Sequence, residues 1–174
     1  MKRGDKAISF DLVGVDDRHH ALSDYAGKQA LVVMFSCNHC PYVRAWEDRM
    51  VQIQADYADR GVQLVAINAN DAVTHPDDSF PAMKQRAKEK AFNFPYLHDE
   101  TQEIARAYGA QRTPDVFVFD RSGILCYHGA IDDNYEDPAA VQQHYLRDAL
   151  DAVLAGKAPR TAETAPVGCT IKWK

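Results

Sequence analysis

The chain has 174 residues, 46% of them hydrophobic and 26% charged, with a formal net charge of −5. That length suits one domain with a substantial core, and the composition excludes a disordered chain. The acidic balance and the lack of a Lys/Arg-rich run argue against nucleic-acid binding, and no apolar run approaches the roughly 20 residues that span a bilayer, so no membrane partner is expected.

Met1 to Asp5 carries basic residues without a secretory-type apolar stretch behind them, so a cytoplasmic location is expected. Ala7 to Val13 and His20 to Leu22 read as short strands around a polar turn at Asp16-Asp17-Arg18, an N-terminal hairpin. Leu31 to Phe35 is a continuous β-prone run, the pattern of a central strand covered on both faces. Val43, Trp46, Met50, Ile53 and Tyr57 then fall on one helical face before Gly61, and Val62 to Ile67 is a second buried strand. Strand, helix and strand together predict a parallel crossover.

Asn68 to Asp78 is a polar loop, Ser79 to Ala91 a helix with Pro81 in its first turn, and Asp99 a cap for a short helix ending at Tyr108 before Gly109. Val116 to Phe119, the turn Asp120 to Gly123, and Ile124 to Ile131 form an antiparallel hairpin. Asp137-Pro138 opens a last helix with the stripe Val141, Tyr145, Leu146, Leu150 and Val153. The expected organisation is one domain over 1–156 and an extended tail over 157–174 carrying Cys169.

Four cysteines are too few and too scattered for a disulfide scaffold, but Cys37 and Cys40 are separated by two residues where the first long strand meets the first long helix. A thiol over a helix N-terminus gains from the unpaired N–H groups and the helix dipole, which lower a cysteine pKa from about 8.5 to roughly 3.5–7.5. Cys37 is therefore the candidate nucleophile and Cys40 the resolving thiol, with His39 between them as a source of positive charge or a donor. Half a zinc site is the competing reading. With no second C-x-x-C, a zinc ion would need His39 or the distant Cys169 as further ligands. Cys126 reads as a packing residue. Cys169 lies beside Gly168 in a tail without an apolar stripe to bury it; a mobile tail lets it reach Cys37 or Cys40 as a further resolving or regulatory thiol, or leaves it free.

Cys37-Asn38-His39-Cys40-Pro41 after an apolar strand, with Arg112-Thr113-Pro114 before the strand at Val116, resembles the thioredoxin-like superfamily. More narrowly it resembles the redoxin branch, the alkyl hydroperoxide reductase and thiol-specific antioxidant group, in its peroxiredoxin-like members. The resemblance covers about residues 4 to 155, and Gly168 to Lys174 is similar to the ending of that subgroup. It implies an α/β fold, with a central mixed sheet flanked by helices and an N-terminal extension. It also implies a cis peptide bond before Pro114, which would bring the Thr113 backbone beside the cysteine pair, where an extended substrate can pair with it.

The chain also departs from its relatives. Peroxiredoxins place a proline seven residues, and a threonine or serine three residues, before the attacking cysteine; here those positions are Ala30 and Met34, which supply no hydroxyl. Arg112 is either a peroxiredoxin-type arginine for the thiolate or peroxide, or a surface residue. The acidic residue that thioredoxin places six positions before its first cysteine is Leu31, so the usual proton relay is missing. The expected function is thiol–disulfide exchange, with thiol peroxidase (antioxidant) activity as one alternative and a redox-sensing or zinc-binding module as another. Expected partners are a protein or small-molecule disulfide, or a peroxide, and a thioredoxin-type or other thiol electron donor. No cofactor is implied.

Overall fold

The N-terminal hairpin forms as expected, with β1 (Asp11–Gly14) antiparallel to β2 (His19–Ala21) and a left-handed residue, Asp17 at φ 63°, in its turn. The computed structural model describes residues 1–174. The long β-prone run is β3 (Ala30–Ser36), buried at all seven positions. Alternate residues supply two cores: Ala30, Val32 and Met34 face one side, and Leu31, Val33 and Phe35 the other. Burial on both faces explains why the run is continuously apolar.

The helix α1 (Pro41–Tyr57) buries Val43, Trp46, Met50, Ile53 and Tyr57, the stripe read from the sequence. Gly61, at φ 80°, ends the short 3₁₀ turn that follows. β4 (Val62–Asn68) returns parallel to β3, completing the crossover. Next come α2 (Phe80–Glu89), with Ser79 as its N-cap, β5 (Tyr96–His98) parallel to β4, and α3 (Glu103–Tyr108). Asp99 does tie down the start of α3, its carboxylate accepting from the Ala105 amide at 2.9 Å, but Gln102 is the residue at the N-cap.

The two-residue strand β6 (Arg112–Thr113) precedes β7 (Asp115–Asp120), which runs antiparallel to β3, and β8 (Leu125–Gly129) closes the hairpin. The main sheet has seven strands in the order β2-β1-β5-β4-β3-β7-β8. This is the thioredoxin-like α/β arrangement, with β3 central and residues of α1, α2 and α4 (Tyr145–Leu154) packed in the core on one face and those of α3 on the other. No helix is long and apolar enough to cross a membrane.

The structure differs from expectation in two places. The last helix starts at Tyr145, not at Pro138; residues 138–140 make one 3₁₀ turn, and Val141 lies outside α4. The loop at 131–133 takes the intervening backbone: the Asp133 amide donates to the Gln143 carbonyl, the Gln142 amide to the Asp133 carboxylate, and the Leu146 amide to the Ile131 carbonyl. The tail is extended and hydrogen-bonded to the domain rather than hanging free. It runs beside β8, exchanging backbone hydrogen bonds with His128 through Ala162 and Thr164, and ends in β9 (Cys169–Thr170), antiparallel to β6.

Met34 is fully buried three residues before Cys37, so Met34→Ala should cost about 2–5 kcal/mol, read from urea denaturation.

Candidate active site

The sequence ends β3 at Ser36 and starts α1 at Pro41, because proline, lacking an N–H and already fixed in φ, fits the first helical position. Cys37, Asn38 and His39 form the loop between, and Cys40 is the N-cap residue of α1. Expectation put the first cysteine over the helix N-terminus; the structure puts the second there, since helical geometry begins only at Pro41. Cys37 and Cys40 are each 3% exposed, and both are free thiols.

Thr113 and Pro114 lie opposite, joined by a cis peptide bond. The two oxygens of Thr113 divide the pair between them. Its hydroxyl lies 3.5 Å from the Cys37 Sγ, and its carbonyl accepts from the Cys40 thiol at 3.4 Å. A hydroxyl can donate to a thiolate, whereas a carbonyl can only accept from a thiol.

The two thiols also act on each other, so they titrate as a pair. The hydrogen bond from Cys37, and then that from Cys169, bring Cys40 down to about 4 against the opposing effect of burial. The same bond, followed by burial and the nearby Asp78 carboxylate, pushes Cys37 up, with the Thr113 hydroxyl pulling the other way. The pair thus shares one proton: on Cys40 it meets the Thr113 carbonyl and leaves Cys37 to the Thr113 hydroxyl, and on Cys37 it leaves Cys40 as the thiolate.

Asp78 was not singled out by the sequence. It is 4% exposed, and its carboxylate accepts from the Asn38 amide at 2.7 Å and from the Asn70 side chain at 2.9 Å. The Asn38 side chain donates to the Asp77 carbonyl and accepts from the Tyr96 hydroxyl. The 68–78 loop therefore clamps the dipeptide between the cysteines. A usable signal did exist: a polar loop after the second strand of a parallel pair lies at the same sheet end as the loop after the first.

A cavity of about 310 Å³ opens at this end, lined among others by Cys37, Cys40, His39, Asp78, Cys169 and Lys172. His39 lies at its exposed rim, with its ring 3.9 Å from Asp77, and hydrogen-bonds neither thiol. Ala30, Leu31 and Met34 are buried in β3 and add no polar group. Arg112 is exposed and donates to the Gly168 carbonyl at 3.1 Å, so it ties down the tail rather than contacting the Cys37 or Cys40 thiol. Cys126 is half-buried on β8, its thiol 3.3 Å from the Ile124 carbonyl, and lies outside the cavity and both apolar cores. No group of three His, Cys, Asp or Glu side chains is arranged to hold a metal ion.

One expectation needs correction. The backbone of Thr113 is not open to an extended substrate, because Cys169 of β9 is already its register partner. The tail reaches this place because Gly168 packs on the Thr113 carbonyl, where a Cβ would overlap it.

If the thiol–thiol hydrogen bond lowers the first ionisation, reduced protein should keep its thiolate absorbance until the pH falls through about 4. Cys37→Ala removes the donor, so the remaining Cys40 should titrate at higher pH; an unchanged midpoint would show that the bond is not the cause.

Residues 3–128 match the model of the AhpC/TSA family. An uncharacterized conserved protein from Geobacillus kaustophilus is 42% identical, with a TM-score of 0.94 over 99% of this chain and 93% of that one. A thiol:disulfide interchange protein of the thioredoxin family from Chlorobium tepidum is 28% identical, with a TM-score of 0.63 over 74% of this chain and 86% of that one. Thiol-disulfide oxidoreductase ResA of Geobacillus thermodenitrificans is 25% identical over 69% of this chain, which spans 64% of that relative's length. With the family model matching most of its length and the thioredoxin-like sheet in place, the chain belongs to the AhpC/TSA family.

Proposed function

We propose that this chain is a thiol–disulfide oxidoreductase whose redox centre is the Cys37–Cys40 dithiol. One observation carries the reading: two buried free thiols at the end of the central strand line one cavity, each against an oxygen of Thr113 at the cis Thr113-Pro114 bond. The similarity to the ResA proteins, named as thiol-disulfide oxidoreductases, supports it.

Cys37 is the attacking thiol in this reading. Cys40 is hemmed in by Cys37, the Thr113 carbonyl and Cys169, while Cys37 has the Thr113 hydroxyl to steady a thiolate. As the shared proton passes to Cys40, the Cys37 thiolate attacks one sulfur of a substrate disulfide and expels the other as a thiolate. Cys40 then loses its proton and attacks the Cys37 sulfur, releasing the second substrate thiolate and closing the Cys37–Cys40 bond. Two electrons pass from the dithiol to the substrate, and a dithiol donor restores the pair. The substrate class is a protein or small-molecule disulfide, and the donor a thioredoxin-type or other thiol.

Reduction of insulin by dithiothreitol should be accelerated by the protein and lose its acceleration in Cys37→Ser. With a chromogenic aryl disulfide, Cys40→Ser should accumulate a mixed disulfide on Cys37. A mixed disulfide on Cys40 of the Cys37→Ser protein, with none in Cys40→Ser, would reverse the roles.

The Thr113 hydroxyl supports a second reading, peroxide reduction, because it stands beside Cys37 where Met34 offers no donor. Stopped-flow oxidation by hydrogen peroxide separates the two. A rate equal to that of a free thiol removes peroxidase activity, and a far faster one slowed by Thr113→Val establishes it.

A further inference from the structure

The end of the tail is built into the site. Ile171 is 3% exposed, and its amide donates to the Gln111 carbonyl at 2.9 Å. The Lys172 amide donates to Asn70 at 2.9 Å, and its carbonyl accepts from the Asp71 amide and from Gln102. The Lys174 amide donates to Gln102 at 3.1 Å, and Trp173 lies under the Arg106 guanidinium at 4.6 Å. Asn70 also binds Asp78, so the same loop holds both the tail and the cysteine dipeptide.

Upstream of these anchors, β9 lies along β6 with Thr113 opposite Cys169, and Cys169 lines the cavity with Cys37 and Cys40. An extended peptide docking by strand addition would occupy this edge. Cys40 faces both other sulfurs: its thiol reaches the Thr113 carbonyl at 3.4 Å, Thr113 is the register partner of Cys169, and Cys37, Cys40 and Cys169 line one cavity. Thiol–disulfide exchange needs one sulfur that can be attacked from one side while the other side's sulfur leaves. Burial sets Cys169 above the ordinary thiol range, to about 11, so it is a protonated thiol in the reduced protein.

We propose that β9 is a tethered substrate strand and Cys169 a third redox thiol, which exchanges with the Cys37–Cys40 disulfide at Cys40. This rests on the reading of Cys37 and Cys40 as a redox dithiol. In the step, Cys169 gives up its proton to solvent and attacks the Cys40 sulfur. The Cys40–Cys169 bond forms as the Cys37–Cys40 bond breaks, and Cys37 leaves as a thiolate. Nothing is oxidised or reduced overall, so no further reagent is required. The exchange stores the disulfide against the tail and frees Cys37 toward the cavity. Any substrate that pairs with the Thr113 backbone must first displace this strand.

The test uses full-length protein, reduced, oxidised with diamide, which takes up the two electrons and two protons of each disulfide formed, then alkylated and mapped by mass spectrometry. Cys37→Ser should form an intramolecular Cys40–Cys169 disulfide, leaving Cys126 as the one alkylated thiol. Cys169→Ser should form Cys37–Cys40. Gly168→Val, which drives a side chain into the Thr113 carbonyl, should lower the Cys40–Cys169 yield several-fold in a Cys37→Ser background.

If Cys40 and Cys169 are both alkylated in Cys37→Ser, or are linked only between two chains, while Cys169→Ser still closes Cys37–Cys40, the third-thiol proposal is overturned and the dithiol reading stands. If Cys169→Ser does not close Cys37–Cys40, the dithiol reading itself falls. A yield in Gly168→Val equal to that of its parent overturns the seating of β9 as the device that presents Cys169.

Discussion

Thr113 is the residue on which the arrangement turns. Its hydroxyl meets Cys37, its carbonyl meets Cys40, its backbone pairs with Cys169, and its carbonyl leaves no room for a side chain at Gly168. Two distant parts of the chain, the Cys37–Cys40 loop and the tail at Gly168–Cys169, are thus brought to one short strand. With both thiols 3% exposed, every polar contact bears directly on which sulfur holds the proton, because burial lowers the local dielectric.

The second support is the loop after β4. A buried carboxylate is costly unless it is well partnered, and Asp78 meets that condition with the Asn38 amide and the Asn70 side chain. It holds the loop between the cysteines while placing negative charge near Cys37, which disfavours a second thiolate there. This offers one answer to the missing acidic residue at Leu31: a carboxylate reaches the centre from the neighbouring strand's loop instead of from beneath the helix. Unlike a relay residue, its contacts are with backbone and amide groups, so its evident role is positioning.

The AhpC/TSA membership and the thioredoxin-like sheet fix the frame without fixing the chemistry, since one fold carries many reactions. What individualises this chain lies at two points. Its β3 lacks the hydroxyl that peroxiredoxins place before the attacking cysteine, and its C-terminal strand covers the edge that an open thioredoxin-like site would offer to a substrate. Both shift attention from β3 itself to the Thr113 turn and to what packs on it.

Much of this was legible from residue order. The apolar run of β3, the stripe of α1, the crossover to β4 and the Cys37–Cys40 pair are local patterns, in which periodicity and spacing follow directly from strand and helix geometry. The start of α4 was misplaced because tertiary hydrogen bonds from the 131–133 loop overrode a helical stripe. The close approach of Gly168 to Thr113 and the use of Arg112 were illegible because their partners lie more than 50 positions away, and no local pattern records such a contact. The sequence by itself determined that a thiol pair stands at a strand-to-helix junction. Tertiary structure alone decided that Cys40 rather than Cys37 is the N-cap residue of the helix, that a third thiol shares its cavity, and that the tail pairs with β6, because each depends on where backbone groups find their hydrogen-bond partners.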